Sequence, residues 1–212
     1  MLTSSGAGSP EVSLRNSRGR RHSDSLITRG ADVFLALILI AVCAVPMLLI
    51  AIAIKMTSKG PVLHWSERVG RYNRNFLMPK FRTMNIHTPQ VATHLLVNPD
   101  NYLTLTGRFL RKSSLDELPQ LWSVLVGDLS FVGPRPALYN QNDLVELRTR
   151  YGIHELVPGV TGWAQINGRD ELSIAEKVAF DREYAERKSA TFDVKILILT
   201  IVKVFQRAGI SH

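Results

Sequence analysis

Acidic residues are scarce in this chain and cysteine nearly absent. Its 212 residues hold 18 Asp and Glu against 26 Lys and Arg, with a single cysteine. Cys43 lies in an apolar run and can form no internal disulfide, so nothing here requires an oxidising compartment. No Gly-x-x-x-x-Gly-Lys loop is present, which excludes a P-loop phosphate cradle. The Asp-x-Asp pair expected of an ordinary nucleotide-sugar glycosyltransferase is missing as well. So are zinc-finger spacing and any aromatic–basic ribonucleoprotein motif. Nucleic acid is therefore the weakest partner that a net charge of +8 admits, behind anionic lipid and phosphorylated small molecules. His87 and His94 lack ligand spacing and read as surface histidines. Just one apolar run reaches bilayer length, which argues against a polytopic membrane protein.

What is present divides into three parts. Residues 1–28 are rich in Ser, Gly and Arg without apolar periodicity, and read as a disordered basic arm. Residues 29–56 contain the uncharged run Val33 to Ile54. Residues 57–212 have the length of one ordinary domain with its own core. Arginines and lysines flank the run on both sides, so the positive-inside rule keeps both flanks in the cytoplasm, which a single straight crossing cannot satisfy. Pro46 lies mid-run and kinks a helix. A re-entrant hairpin on the cytoplasmic leaflet meets both conditions. Asp32 at its entrance needs a partner in lipid, and Arg29 is the candidate.

The centre of the sequence is Arg111 to Pro136. Leu118, Leu121, Trp122 and Leu125 have the spacing of one helix face, and Pro119 suits its first turn. Asp116 and Glu117 then stand at the helix start, between Arg111 and the rigid Gly133-Pro134-Arg135-Pro136 turn. Two readings compete. Ser114 with Glu117 matches a capping box, and acids at a helix start offset its dipole. Alternatively, a carboxylate among phosphate-binding arginines is a constellation for phosphoryl transfer, since a guanidinium fork fits phosphate. Lys80 and Arg82 flank Phe81, so in a strand both face one way, toward phosphates, solvent or lipid headgroups. Trp163 and Gln165 lie in a loop between glycines, where a flat ring suits a nucleobase or sugar, or simply packs. Asp181 and Tyr184 share one face of a helix from Ala175 to Arg187. Val194 to Phe205 is amphipathic, with Leu197, Ile201, Val204 and Phe205 opposite the lysines, for docking on a membrane interface or a core.

Asp116-Glu117-Leu118-Pro119-Gln120-Leu121 followed by Gly127-Asp128-Leu129-Ser130-Phe131-Val132-Gly133-Pro134-Arg135-Pro136 resembles the signature of the bacterial sugar transferases. These are monotopic polyprenyl-phosphate phosphoglycosyl transferases. The likeness continues in Lys80-Phe81-Arg82-Thr83-Met84 and in the segment from Pro158 to Arg169, and covers the chain from about Arg29 onward. Two departures stand out. Val45 replaces the serine of the usual Ser-Pro break, and Asn85-Ile86-His87-Thr88 replaces acidic residues after the lysine motif.

The resemblance implies an α+β catalytic domain anchored by a re-entrant N-terminal helix and interfacial amphipathic helices. It implies transfer of a sugar-1-phosphate from a UDP-sugar to undecaprenyl (polyprenyl) phosphate, releasing UMP, on the cytoplasmic face of the bacterial inner membrane. That is the first membrane step of building an O-antigen, capsule, exopolysaccharide or glycoprotein glycan. In the family the aspartate of the acidic pair, here Asp116, is the nucleophile that carries the phosphosugar. A Mg2+ ion bridges the diphosphate, with Asp116 or Glu117 near it. Arg111, Arg135, Lys80, Arg82, Trp163, Gln165 and Asp181 fall on the substrate-binding positions. The Asp116 pKa is expected to be held low by the helix start and the arginines. Sugar discrimination is assigned to Gly168-Arg169-Asp170-Glu171. The rival class is a non-enzymatic, membrane-anchored binding module for anionic lipid or a nucleotide-sugar.

Overall fold

The computed structural model describes residues 10–88, 98–168 and 171–209, so His94, Arg169 and Asp170 lie outside the described residues. Helix α1 covers Pro10–Thr57, and its regular backbone thus starts inside the stretch expected to be an irregular arm. Pro46 sits inside this helix. The segment Leu26–Thr57 is long and apolar enough to cross a membrane. Two strands follow, β1 (Leu63–Val69) and β2 (Asn75–Phe81), then α2 (Leu105–Ser113) and α3 (Gln120–Val126). Beyond them come β3 (Ser130–Val132), β4 (Ala137–Leu138), α4 (Asn142–Arg150) and β5 (Gly159–Thr161). The chain ends in α5 (Trp163–Ile166), α6 (Ile174–Arg187) and α7 (Ala190–Gly209).

Strands β2, β1 and β4 form an antiparallel sheet in that order, and β3 pairs with β5 in parallel. The second pairing explains two glycine-rich motifs at once. A side chain on Gly159 would lie 2.1 Å from the Gly133 nitrogen, and one on Gly162 would lie 2.1 Å from the Gly133 oxygen. No residue with a Cβ permits these backbones to meet so closely. The contact fixes the Pro134-Arg135-Pro136 turn on the end of β3.

The main core gathers Ala36, Met78, Leu121, Val124, Leu129, Phe131, Ile166, Tyr184, Phe192 and Ile196. Helix α1 belongs to this body. Ala36 enters the main core, and Ile54 enters a second cluster with Phe81 and Leu110. Asp32 accepts the Phe131 N–H at 3.3 Å. Arg29, whose charge also acts on Asp32, reaches the end of α3, donating to the Val124 carbonyl and, at 2.6 Å, to that of Leu125. These are carbonyls that a helix end leaves unpaired. Asp32 and Ile54 stand 22 residues apart, about 33 Å along a helix. The domain therefore flanks α1 along nearly all of its apolar length. On the other face Phe34, Val42, Val45, Leu48, Leu49 and Met56 are exposed.

Trp122 departs from the expected buried face of α3: it is 55% exposed, while Gln120, Ser123 and Val124 turn inward. Helix α3 is only seven residues long, and its direction is set by packing against α1 and β2 rather than by its own apolar spacing. Likewise α7 buries Phe192 and Ile196, leaving Ile198, Ile201 and Val204 exposed. Those residues form an apolar face, with Leu105, Phe109, Trp122 and Val126 also outward on α2 and α3.

Candidate active site

Asp116 and Glu117 end a short 3-10 turn, Leu115–Glu117, between α2 and α3. Ser114 creates it by adopting the left-handed conformation (φ 59°, ψ 14°) that stops α2. Its side chain makes no capping hydrogen bond, which removes the capping-box reading. Glu117 is engaged elsewhere. Its Oε1 accepts from Lys80 Nζ at 2.9 Å and from Arg135 Nη2 at 3.4 Å. Strand β2 supplies Lys80, and the turn after β3 supplies Arg135, so residues far apart in sequence converge on the acidic pair.

Asp116 is 9% exposed. Burial pushes its carboxyl above the ordinary aspartate range; Lys80 opposes the shift, Glu117 adds to it and Arg111 opposes it again. The expectation of a lowered value is thereby corrected, because desolvation outweighs the neighbouring cations. The Lys80 ammonium is pushed down chiefly by burial, with Glu117 opposing. Arg68, on β1, also belongs to the cluster. Burial and Arg135 push its guanidinium down to about 10, with Glu117 opposing. Among the described residues, Arg68, Lys80, Arg111 and Arg135 therefore converge on the two carboxylates. Guanidinium and ammonium groups converging in this way suit a diphosphate or phosphate dianion.

Among the described residues no three His, Cys, Asp or Glu side chains gather into a metal cage. Two adjacent carboxylates still fit magnesium, which is commonly held by one or two acids together with phosphate oxygens and water.

Three expected site residues lie elsewhere. Arg82 follows the end of β2 and is 6% exposed; it donates to the Ser58 and Lys59 carbonyls (3.2 and 2.7 Å), tying down the exit of α1. Asp181 is buried in an ion pair with Arg148 at 2.6 Å. Arg148 also donates to the Arg135 carbonyl at 2.7 Å, so Asp181 reaches the cluster only through it. Trp163 lies in α5, a helix rather than a loop, packs on Phe192 at 5.1 Å and donates to Glu183 Oε2 at 2.7 Å. Gln165, in the same helix, differs: both its amide atoms are buried without a hydrogen-bond partner among the described residues. Arg111 Nη2 approaches the Met84 sulfur at 3.8 Å.

Sequence reasoning missed Arg68 and Arg148. Arg68 pairs across the ladder with Phe76 and Leu138, and that register has no local signal. Arg148 and Asp181 are 33 residues apart on different helices, with nothing in either segment to join them.

Comparison with known proteins gives a consistent picture. The family described as bacterial sugar transferase matches residues 23–207. The chain is 40% identical over 188 residues to the UDP-glucose:undecaprenyl-phosphate glucose-1-phosphate transferase of Escherichia coli (strain K12), covering 85% of this chain and 40% of that protein. With the uncharacterized sugar transferase EpsL of Bacillus subtilis (strain 168) it shares 41% identity over 189 residues, 88% of this chain and 91% of the other. The UDP-N-acetylgalactosamine-undecaprenyl-phosphate N-acetylgalactosaminephosphotransferase of Aeromonas hydrophila is 35% identical over 190 residues, 87% and 45% respectively. The chain thus spans less than half the length of the first and third of these relatives.

Proposed function

Because the chain belongs to the bacterial sugar transferase family, we propose that it transfers a sugar-1-phosphate from a UDP-sugar to a polyprenyl phosphate and releases UMP. The observation that carries this reading is the convergence of Lys80 and Arg135 on Glu117, beside the buried Asp116. In the first step an Asp116 carboxylate oxygen bonds to the β-phosphorus, and the bridging P–O bond breaks with its electrons going to UMP. In the second, an oxygen of the lipid phosphate attacks the same phosphorus and frees the carboxylate. A covalent intermediate divides one difficult displacement into two easier ones. Glu117, held by Lys80 and Arg135, keeps those cations at the diphosphate. Asp116 and Glu117 would hold a magnesium ion, which supplies neutralisation of charge on the diphosphate when bound.

The lipid acceptor stays in its bilayer, so the carboxylate must work at the membrane surface. Contact of the domain with α1 along about 33 Å supports a monotopic arrangement. A helix crossing the bilayer upright would drag the domain into the lipid with it. In this reading the exposed apolar faces of α1, α2, α3 and α7 rest in the cytoplasmic leaflet, and both flanks of α1 remain on the cytoplasmic side. Cysteines introduced at Ser23 and Ser66 should then be labelled from the same side; labelling from opposite sides would mean a true span.

Relatives differ in the sugar their names carry, glucose in one and N-acetylgalactosamine in another. The deciding experiment is UMP release from a panel of UDP-sugars with undecaprenyl phosphate, paired with mass spectrometry of enzyme trapped with donor. A phosphosugar adduct on Asp116 is expected. Failure to release UMP from any UDP-sugar would leave a membrane-anchored binding module instead.

A further inference from the structure

Direct contacts order the cluster. Glu117, next to Asp116 in the chain, accepts from Arg135 Nη2 at 3.4 Å. Arg68 Nη1 donates to the carbonyl of Pro136, the residue after Arg135, so Arg68 lies on the Arg135 side, away from Asp116. Asp116 has Lys80, Glu117 and Arg111 as charged neighbours. Arg68 has Arg135 and Glu117. Lys80 is charge-coupled to both ends, since Arg135 and Arg68 act on it and it acts on Asp116. Arg111 and Asp116 therefore mark one end, Lys80 and Glu117 the middle, and Arg135 with Arg68 the other.

A phosphoryl displacement runs with the attacking and leaving oxygens roughly in line. If Asp116 attacks from its end, the leaving oxygen emerges toward Arg135 and Arg68. Resting on the reaction proposed above, we infer that Arg68 is a leaving-group ligand, which with Arg135 receives the phosphate of the departing UMP. The bond that breaks is the bridging P–O bond. Its electron pair stays on UMP, which leaves as a phosphate dianion and requires no proton.

A purely structural role accounts poorly for Arg68. It donates Nη1 to the Pro136 carbonyl at a long 3.4 Å and Nε to Ser66 Oγ at 3.0 Å. Its Nη2 makes no hydrogen bond among the described residues. A neutral side chain could tie β1 to the turn without placing a second guanidinium beside Arg135, where like charges repel. Two forks around one dianion reverse that repulsion, and each offers the paired N–H groups that phosphate oxygens accept.

The test separates the two half-reactions in full-length enzyme in detergent. Wild type with UDP-sugar and no lipid acceptor gives a burst of UMP; isolated phosphosugar-enzyme then transfers to undecaprenyl phosphate. Arg68→Gln should slow the UMP burst at least about tenfold and raise the UMP concentration for half-inhibition by a similar factor. Capture by the lipid should stay unchanged, and Arg68→Lys should recover part of the burst. Equal slowing of both half-reactions, or unchanged burst and UMP inhibition, overturns the assignment. If Arg68→Gln does not fold, Arg68→Lys decides alone: a normal burst and normal UMP inhibition there overturn the assignment too. A wild type that shows no burst overturns the two-step reaction, and this role with it.

Discussion

Two arginine–carboxylate arrangements meet at Arg135 and are built on opposite terms. Arg148 and Asp181 form a closed pair, with side chains 11% and 2% exposed, 2.6 Å apart and a remaining donor committed to the Arg135 carbonyl. Arg135 and Glu117 form an open one, 30% and 18% exposed and 3.4 Å apart, with Lys80 and Arg68 as further cations. The residue types are the same. What separates them is closeness and exposure. A buried pair that neutralises itself holds a fold in place, whereas a looser and more exposed cluster of cations is suited to an anion from outside.

Breaking the open arrangement should give the largest effect on activity and little on folding. Asp116→Asn is expected to lower UMP release by at least about a thousandfold, as losing a nucleophile does. Its stability should hold or rise. Because the folded-state pKa of Asp116 lies above the unfolded one, its ionised form costs stability above that pKa, and the cost is relieved as pH falls through it. An asparagine cannot ionise and carries no such cost. Thermal unfolding at pH 7 checks this, and a marked fall in Tm would contradict it.

Breaking the closed pair should do the reverse. Asp181→Asn strands the Arg148 guanidinium in the interior and should cost about 3–5 kcal/mol of stability, read by denaturant unfolding. A smaller effect is expected from Arg135→Lys, about tenfold in transfer with unchanged Tm, because a point charge cannot copy the fork. The finest distinction lies in pH. The acid limb of the rate profile should fall above the ordinary aspartate value of about 3.9, since burial raises Asp116. A limb at or below that value would mean that Lys80 and Arg111 outweigh burial in the complex.

Much of this contrast was legible in the sequence, for specific reasons. Lys80, Asp116, Glu117 and Arg135 sit in short rigid motifs whose chemistry is local, and the structure brings them together. Arg82 misled because strand alternation applies only inside a strand, and β2 ends at Phe81. Trp163 and Asp181 carry the right chemistry but face inward, a choice made by the packing of α5, α6 and α7. The Asp116 pKa was misjudged because charges are visible in a sequence and desolvation is not. Helix α6 matches the expected Ala175 to Arg187 helix to within one residue, and it has a true capping box, Ser173 with Glu176.

The grip of Arg29 and Asp32 on α3 and β3 has a practical consequence for anyone preparing this protein. Its anchor cannot be trimmed away to yield a soluble catalytic fragment, because a truncate starting at Ser58 would uncover Val124, Phe131 and Phe81 and orphan the carbonyls of Val124 and Leu125. An unrelated apolar helix in its place is expected to fail for the same reason. The helix that carries the exposed apolar face is the same one that completes the interior.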